Sequence, residues 1–474
     1  MKMDIESRKY KLAMHLCLIG AIGFGLYVRL RNIDATGLWL DEAFSVSVSD
    51  PQNGFFDVYR TTLNDVHPPF YQILLWAYYH AVGFGEHTGR YLSAVIGVLL
   101  IPAIFLLGRE LFDEQIGLIV AWLASVNSFL VQYSQETRSY ALLTLLTVLS
   151  FVVFLRCLSR GRGQDFFCYW LISAALINTH YFGYLPVFAQ VLVLLRMILR
   201  SEVQSQVIYK FACAGFFAAL TVVPALSYAE SSFSREFWIQ PPEDVFFFKV
   251  FLSYFGDSFL AALCAVILIT GLVSIAGNPA GASTYRLIMF WGVVGIVVPY
   301  VCSVYLRPVA TIRNFIFLLP AVLLVAAHAV GNIRDVTVKM LMLVVLMTFS
   351  ATPLFKDVSY LRDPENPYSR ETHMRDIVIS VMGKSKVLPI YSLDAVQFGV
   401  YFKLLESPLL VNNLEKLKAD LSLPGRPKDF YVLETNYGAG FAQEVELLQR
   451  YEAKIIDKEE IGHVRLFKIR TFAP

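Results

Sequence analysis

Long apolar runs separated by short polar breaks fill the first three quarters of this chain. A helix that crosses a bilayer needs roughly 20 apolar residues, or about 17 at the short end. Segments near that length fall at 12–30, 92–108, 116–132, 140–155, 166–179, 182–195, 211–228, 256–275, 287–304, 314–330 and 337–352. The fifth and sixth are short. Still, 166–195 is too long for one span and both flanks are basic, so a hairpin turning at Asn178-Thr179-His180-Tyr181 is expected. Pro68 to Gly85 is apolar enough to compete as a further span. Counting it would invert the side of every later loop, so it reads as a juxtamembrane helix with its aromatic residues at the interface.

After Pro353 the pattern changes. Leu361 to Arg375 is polar and Pro-rich, a linker. Short apolar runs then alternate with amphipathic ones. Val387–Leu393 and Phe430–Glu434 read as strands, with Lys454–Ile456 and Val464–Ile469 closing the set; Ala395–Leu405, Leu414–Leu421 and Ala442–Tyr451 read as helices. The expected division is a transmembrane domain over 1–352 and a small α/β domain over 353–474.

Composition settles the class. Of the 474 residues 56% are hydrophobic and 16% charged, with a mean hydropathy of +0.55. That is too little polar surface for a soluble protein, and it predicts a polytopic α-helical membrane protein of eleven spans with a small C-terminal α/β domain. A net charge of +2 at such low charge density argues against a nucleic-acid partner. Cys17, Cys157, Cys168, Cys213, Cys264 and Cys302 lie in or beside apolar segments without metal-ligand spacing. No small-residue cleavage site follows the first apolar stretch, so it reads as a retained span.

Basic residues set the orientation. With the N-terminus in the cytoplasm, inside loops carry Arg109, the Arg156/Arg160/Arg162 cluster, Arg196, Arg200, Lys210, Arg286, Arg334 and Lys339. The opposite loops are poorer in such residues, the positive-inside asymmetry. Eleven spans then place the large first loop, 31–91, a second loop at 229–250 with Phe237-Trp238-Ile239-Gln240-Pro241-Pro242, and the C-terminal domain outside. The expected location is the plasma (inner) membrane with the working groups extracytoplasmic.

Within the first loop, Gly37-Leu38-Trp39-Leu40-Asp41-Glu42-Ala43-Phe44-Ser45 sets two adjacent carboxylates in an apolar, aromatic frame. Charges at a membrane boundary cost free energy unless water, a partner or a ligand compensates them. The plain alternative is an interfacial loop with Trp39 at headgroup level and the acids in water. An ordered series shifts the balance: Leu38-Trp39-Leu40-Asp41-Glu42, His67-Pro68-Pro69-Phe70-Tyr71, Gly89-Arg90-Tyr91-Leu92, Gly108-Arg109-Glu110-Leu111-Phe112, Tyr133-Ser134-Gln135-Glu136-Thr137-Arg138-Ser139-Tyr140 and Thr179-His180-Tyr181. This series, over roughly 1–330, resembles the polyprenyl-phosphate-sugar-dependent glycosyltransferases of the C-type membrane fold. That family includes the protein O-mannosyltransferases (glycosyltransferase family 39) and the aminoarabinose transferase acting on lipid A.

The resemblance implies an inverting transferase. It would move a monosaccharide from a polyprenyl phosphate to a lipid, polysaccharide or protein acceptor, with membrane lipids as the surrounding partners. It places Asp41 and Glu42 at the active site, Asp41 as base and Glu42 as orienting group. The family often has Lys ahead of the proline, against the donor phosphate; here that position is His67. Sugar transfer also needs positive charge on the departing phosphate, and the outer loops offer His67, Arg138, His180, Arg307 and Arg313. Each has a structural alternative: Arg138 pairing with Glu136 or capping a span, Arg307 and Arg313 snorkelling to the interface, His180 as a satisfied turn histidine. Tyr133 and Gln135 are candidates for bonds to sugar hydroxyls. Relatives generally work without metal, so no cofactor is expected, although two adjacent acids are also a site type for a hard cation. The rival class is a transporter or flippase for a lipid-linked sugar, which would carry charge near the bilayer midplane on broken helices. A polymerase or ligase of a surface polysaccharide shares class and location with the transferase.

Overall fold

The computed structural model describes residues 2–65, 67–226, 239–277, 282–355, 373–384, 387–435 and 451–472. The chain forms two compact units. One comprises Met1–Arg31, Gly54–Leu75 and Arg90–Tyr360; the other comprises Asn32–Asn53, Trp76–Gly89 and Leu361–Pro474.

The first unit is helical. Among the described residues nine helices are long and apolar enough to cross a membrane, and the pair Glu114–Val126 and Ser128–Ser134, bent by 61°, makes a tenth span if counted as one. All eleven segments expected from hydropathy are helical. The fifth of them, Gly163–Ile177, has 15 residues; at 1.5 Å per residue that is about 22 Å, short of a hydrocarbon core of about 30 Å. The expected hairpin forms after it: the chain turns at Asn178–His180 and returns as Tyr184–Leu199. The competing stretch is the helix Phe70–Val82, whose 13 residues reach only about 20 Å and so cannot span. Helices Leu40–Val48 and Phe55–Asn64 occupy the same first loop.

Residues 116–132 are expected as one continuous helix but break at Asn127. The Asn127 side chain accepts from Leu130 N at 2.9 Å, capping the second piece, while its amide donates to Tyr254 O at 2.8 Å. A break inside a bilayer must satisfy its backbone groups internally. Arg29, fully buried in the first span, does this for the first piece. Its guanidinium donates to Ala124 O at 3.2 Å, Ser125 O at 3.3 Å, Gly25 O at 3.1 Å and Ser134 Oγ at 3.3 Å. Gly97 keeps this crossing open, since a Cβ there would lie 2.1 Å from Ser134 Oγ and 2.9 Å from Arg29 Nε. Arg29 is a charge within a span, the feature expected of a transporter, yet these four bonds give it a structural role. Arg29→Leu is expected to lower stability by about 2–4 kcal/mol, because it leaves helix-end carbonyls buried without donors. Unfolding of the purified protein in detergent measures this; a wild-type midpoint would show that the carbonyls have other donors.

The second unit carries a five-stranded sheet in the order β2-β1-β3-β5-β4. The strands are β1 (Ile390–Ser392), β2 (Val411–Asn413), β3 (Asp429–Thr435), β4 (Ala453–Ile461) and β5 (Val464–Thr471). β1 pairs in parallel with β2 and β3, with Ile390 opposite both Val411 and Tyr431; β5 pairs antiparallel with β3 and β4. Helices Met374–Lys384, Ala395–Leu404 and Leu414–Ser422 complete it. β4 extends well past the expected Lys454–Ile456; it is an edge strand, where Asp457, Lys458 and Glu460 face solvent and blunt the edge, while Glu459 accepts from Ser380 Oγ at 2.8 Å and pairs with Lys384. β2 and the helix from Met374 were not expected. A three-residue strand gives no alternation to read, and the helix starts inside what reads as linker. The expected helix Ala442–Tyr451 and most of the linker lie outside the described residues.

The helix Leu40–Val48 belongs to this second unit. Its Ala43 and Val46, with Leu38 just ahead, share one buried cluster with Met374, Ile377, Phe398, Tyr401, Tyr431 and Leu433. A segment read as a loop of the membrane domain is thus part of the core of the C-terminal domain.

Candidate functional site

The candidate residues fall into two groups, one in each unit. In the first unit four loops expected on the same face converge. His67 precedes the helix Phe70–Val82, Arg138 precedes Tyr140–Arg160, His180 lies in the hairpin turn, and Arg313 lies in the 3-10 stretch Ile312–Leu318. Backbone and ring contacts hold the loops together. Phe70 N donates to Asn178 O at 2.9 Å, and Phe182 packs on Phe315 and Phe317 at centroid distances of 5.7 and 5.9 Å.

Arg138 and Arg313 are buried, 3% and 8% exposed, and His180 is 5% exposed. Arg138 Nη2 lies 2.9 Å from His67 Nε2, and His67 Nδ1 lies 2.9 Å from Asp65 Oδ2. A guanidinium can only donate. His67 Nε2 is therefore the acceptor and Nδ1–H donates to Asp65, which assigns a neutral tautomer. The rings of His67 and His180 are 6.1 Å apart, Tyr140 is 6.0 Å from His180, and the Arg313 guanidinium lies 6.0 Å over the Tyr140 ring. His180 Nδ1 accepts from Phe182 N at 3.1 Å, so its proton sits on Nε2. Burial, reinforced by His67, Arg138 and Arg313, holds His180 well below the usual histidine pKa. Both histidines are thus neutral, and the positive charge of this cluster resides on the two arginines. Two largely desolvated guanidiniums on one face form a setting that favours an anion, and the planar fork suits phosphate.

The remaining first-unit candidates divide. Tyr133 is buried between Phe129 and Tyr140, at 4.8 and 5.1 Å. The Gln135 amide donates to Arg29 O at 3.1 Å and Arg31 O at 2.7 Å, closing the end of the first span. Arg307 sits half-buried just past the helix Ala282–Tyr305. Sequence reasoning gave no role to Asp65 or Tyr140. The acid two residues before His67 was the legible signal for the first, and Tyr140 closes the motif that contains Arg138.

In the second unit Asp41 and Glu42 open the helix Leu40–Val48. Acids in a first turn are favoured by the exposed N–H groups of the helix end. Glu42 is fully buried and accepts from Trp39 N at 3.4 Å, half of a capping box. Asp41 remains partly exposed, and its carbonyl accepts from Ser45 Oγ at 3.0 Å. Glu42 fixes the entry of the helix while Asp41 keeps access to solvent.

Residues 66–228 match the family described as dolichyl-phosphate-mannose-protein mannosyltransferase, a stretch that contains His67, Tyr133, Gln135, Arg138 and His180. No curated protein sequence gives a significant match. Among solved structures, apo ArnT from Cupriavidus metallidurans aligns with a TM-score of 0.68 at 11% identity, over 95% of this chain and 97% of that one. The same protein bound to undecaprenyl phosphate aligns at 0.64, with the same identity and coverage. The oligosaccharyltransferase AglB from Archaeoglobus fulgidus, in complex with an inhibitory peptide and a dolichol-phosphate, aligns at 0.57 and 11% identity, over 90% of this chain and 70% of that one. The fold expected from the ordered motifs is the fold this chain adopts.

Proposed function

We propose that this chain, which has the C-type membrane glycosyltransferase fold, transfers one monosaccharide from a polyprenyl phosphate to a lipid, polysaccharide or protein acceptor outside the cytoplasm. The buried pair Arg138 and Arg313, gathered with two neutral histidines where four loops meet, carries the reading. Support comes from a structural neighbour that binds undecaprenyl phosphate and aligns over 95% of the chain. In the reaction the acceptor oxygen attacks the anomeric carbon as the carbon–oxygen bond to phosphate breaks, so the configuration inverts in a single displacement. Asp41 takes the acceptor proton. Arg138 and Arg313, with Arg307 as a further donor, hold the departing phosphate, and His67 holds the Arg138 guanidinium. Glu42 positions Asp41 through the helix start.

Purified protein incubated with a panel of polyprenyl-phosphate sugars, polyprenyl-phosphate mannose first, tests the activity by mass analysis of donor and product. Consumption of one donor is expected; none consumed, while vesicles move one across, would favour a transporter. An impermeant thiol reagent tests sidedness. Ser422→Cys is expected to label in intact cells and Arg160→Cys to stay protected, both positions being exposed. The reverse pattern would place the C-terminal domain in the cytoplasm.

A further inference from the structure

The acidic helix is latched at both ends by one turn of a helix in the C-terminal domain. At its start, the Tyr401 hydroxyl accepts from Leu38 N at 2.5 Å and donates to Leu38 O at 3.3 Å. At its far end, Lys403 bonds Asp50 and reaches Gln52 Oε1 at 2.7 Å. Tyr401 and Asp50 are buried. Between the latches Ala43 and Val46 pack on Phe398 and Tyr401 of the same helix. Leu38, the residue held at both backbone atoms, stands three positions before Asp41.

We infer that Tyr401 and Lys403 are positioning residues for sugar transfer, so that the C-terminal domain is a working part of the transferase rather than an appendage. The inference rests on the proposed role of Asp41. A base must sit within about 2.6–3.2 Å of the proton it removes, and a small misplacement costs rate without changing what binds. Two bonds to the backbone of one residue fix where the first turn begins, and the lysine latch fixes where the helix ends. Neither residue has to touch donor or acceptor to do this.

The test uses the full-length chain. Tyr401→Phe keeps the buried ring and removes only the hydroxyl. Its turnover is expected to fall roughly tenfold while the KM for donor stays at the wild-type value. Lys403→Met should behave likewise, and the exchanged pair Lys403→Asp with Asp50→Lys should recover turnover. Hydrogen exchange gives a readout independent of activity: amides of 40–48 should exchange faster in Tyr401→Phe while those of 395–404 keep their protection. Wild-type turnover in both single variants would overturn the inference. So would equal fractional losses of turnover and donor affinity, the sign of general unfolding. If wild type consumed no donor at all, the activity itself would fall and this inference with it; an active wild type matched by Tyr401→Phe sinks the latch alone.

Discussion

Asp41→Asn is expected to slow sugar transfer by about 10²–10⁴-fold, the usual worth of a positioned general base. The substitution keeps size and shape and removes only the ability to take a proton. Asp41 lies in the first turn of its helix and is partly exposed, and the capping bond at that turn runs from Trp39 N to Glu42. Folding and donor binding should therefore persist, which separates a chemical defect from a structural one. Glu42→Gln should cost less, since an amide oxygen can still accept from Trp39 N. Single-turnover transfer, measured for both variants beside thermal stability in detergent, decides the matter. A stable Asp41→Asn protein that transfers at the wild-type rate would remove Asp41 from the chemistry.

Arg138→Ala should weaken donor binding by about 1.5–3 kcal/mol, the range for a bond to a charged group, which is roughly 10–150-fold in KM. Arg138 is buried and its planar head rests on a neutral histidine acceptor, so it is held in place before any anion arrives. Arg138→Lys should recover only part of the loss, because an ammonium cannot offer two parallel donors. His67→Ala should cost less than Arg138→Ala, since His67 brings no charge of its own and acts by holding the guanidinium. Donor KM across this series, at fixed ionic strength, is the measurement. Unchanged KM in Arg138→Ala would move the phosphate toward Arg307 and Arg313.

Hydropathy alone determined the class and located the long apolar segments that form the helices of the membrane part, though not the shorter helices Phe55–Asn64 and Phe246–Phe255. Burying apolar side chains in lipid demands runs of a fixed length, and that demand is written locally in the chain. The ordered motifs likewise marked Asp41, His67, Arg138 and His180 as residues to watch. Other features were settled only by tertiary structure. The break at Asn127 depends on donors from Arg29, 98 positions earlier in the chain, and nothing in 116–132 itself announces them. Gln135 has polarity suited to a sugar, yet its amide meets the carbonyls at the end of the first span. The neutral state of His67 follows from which atoms Asp65 and Arg138 present to it, a matter of side-chain direction that spacing does not encode. Most of all, Leu38, Ala43 and Val46 read as a short apolar patch in a loop, a pattern equally suited to a membrane surface. Their partners lie more than 300 residues away, in Met374, Phe398 and Tyr401, and long-range burial of that kind chose between the two readings.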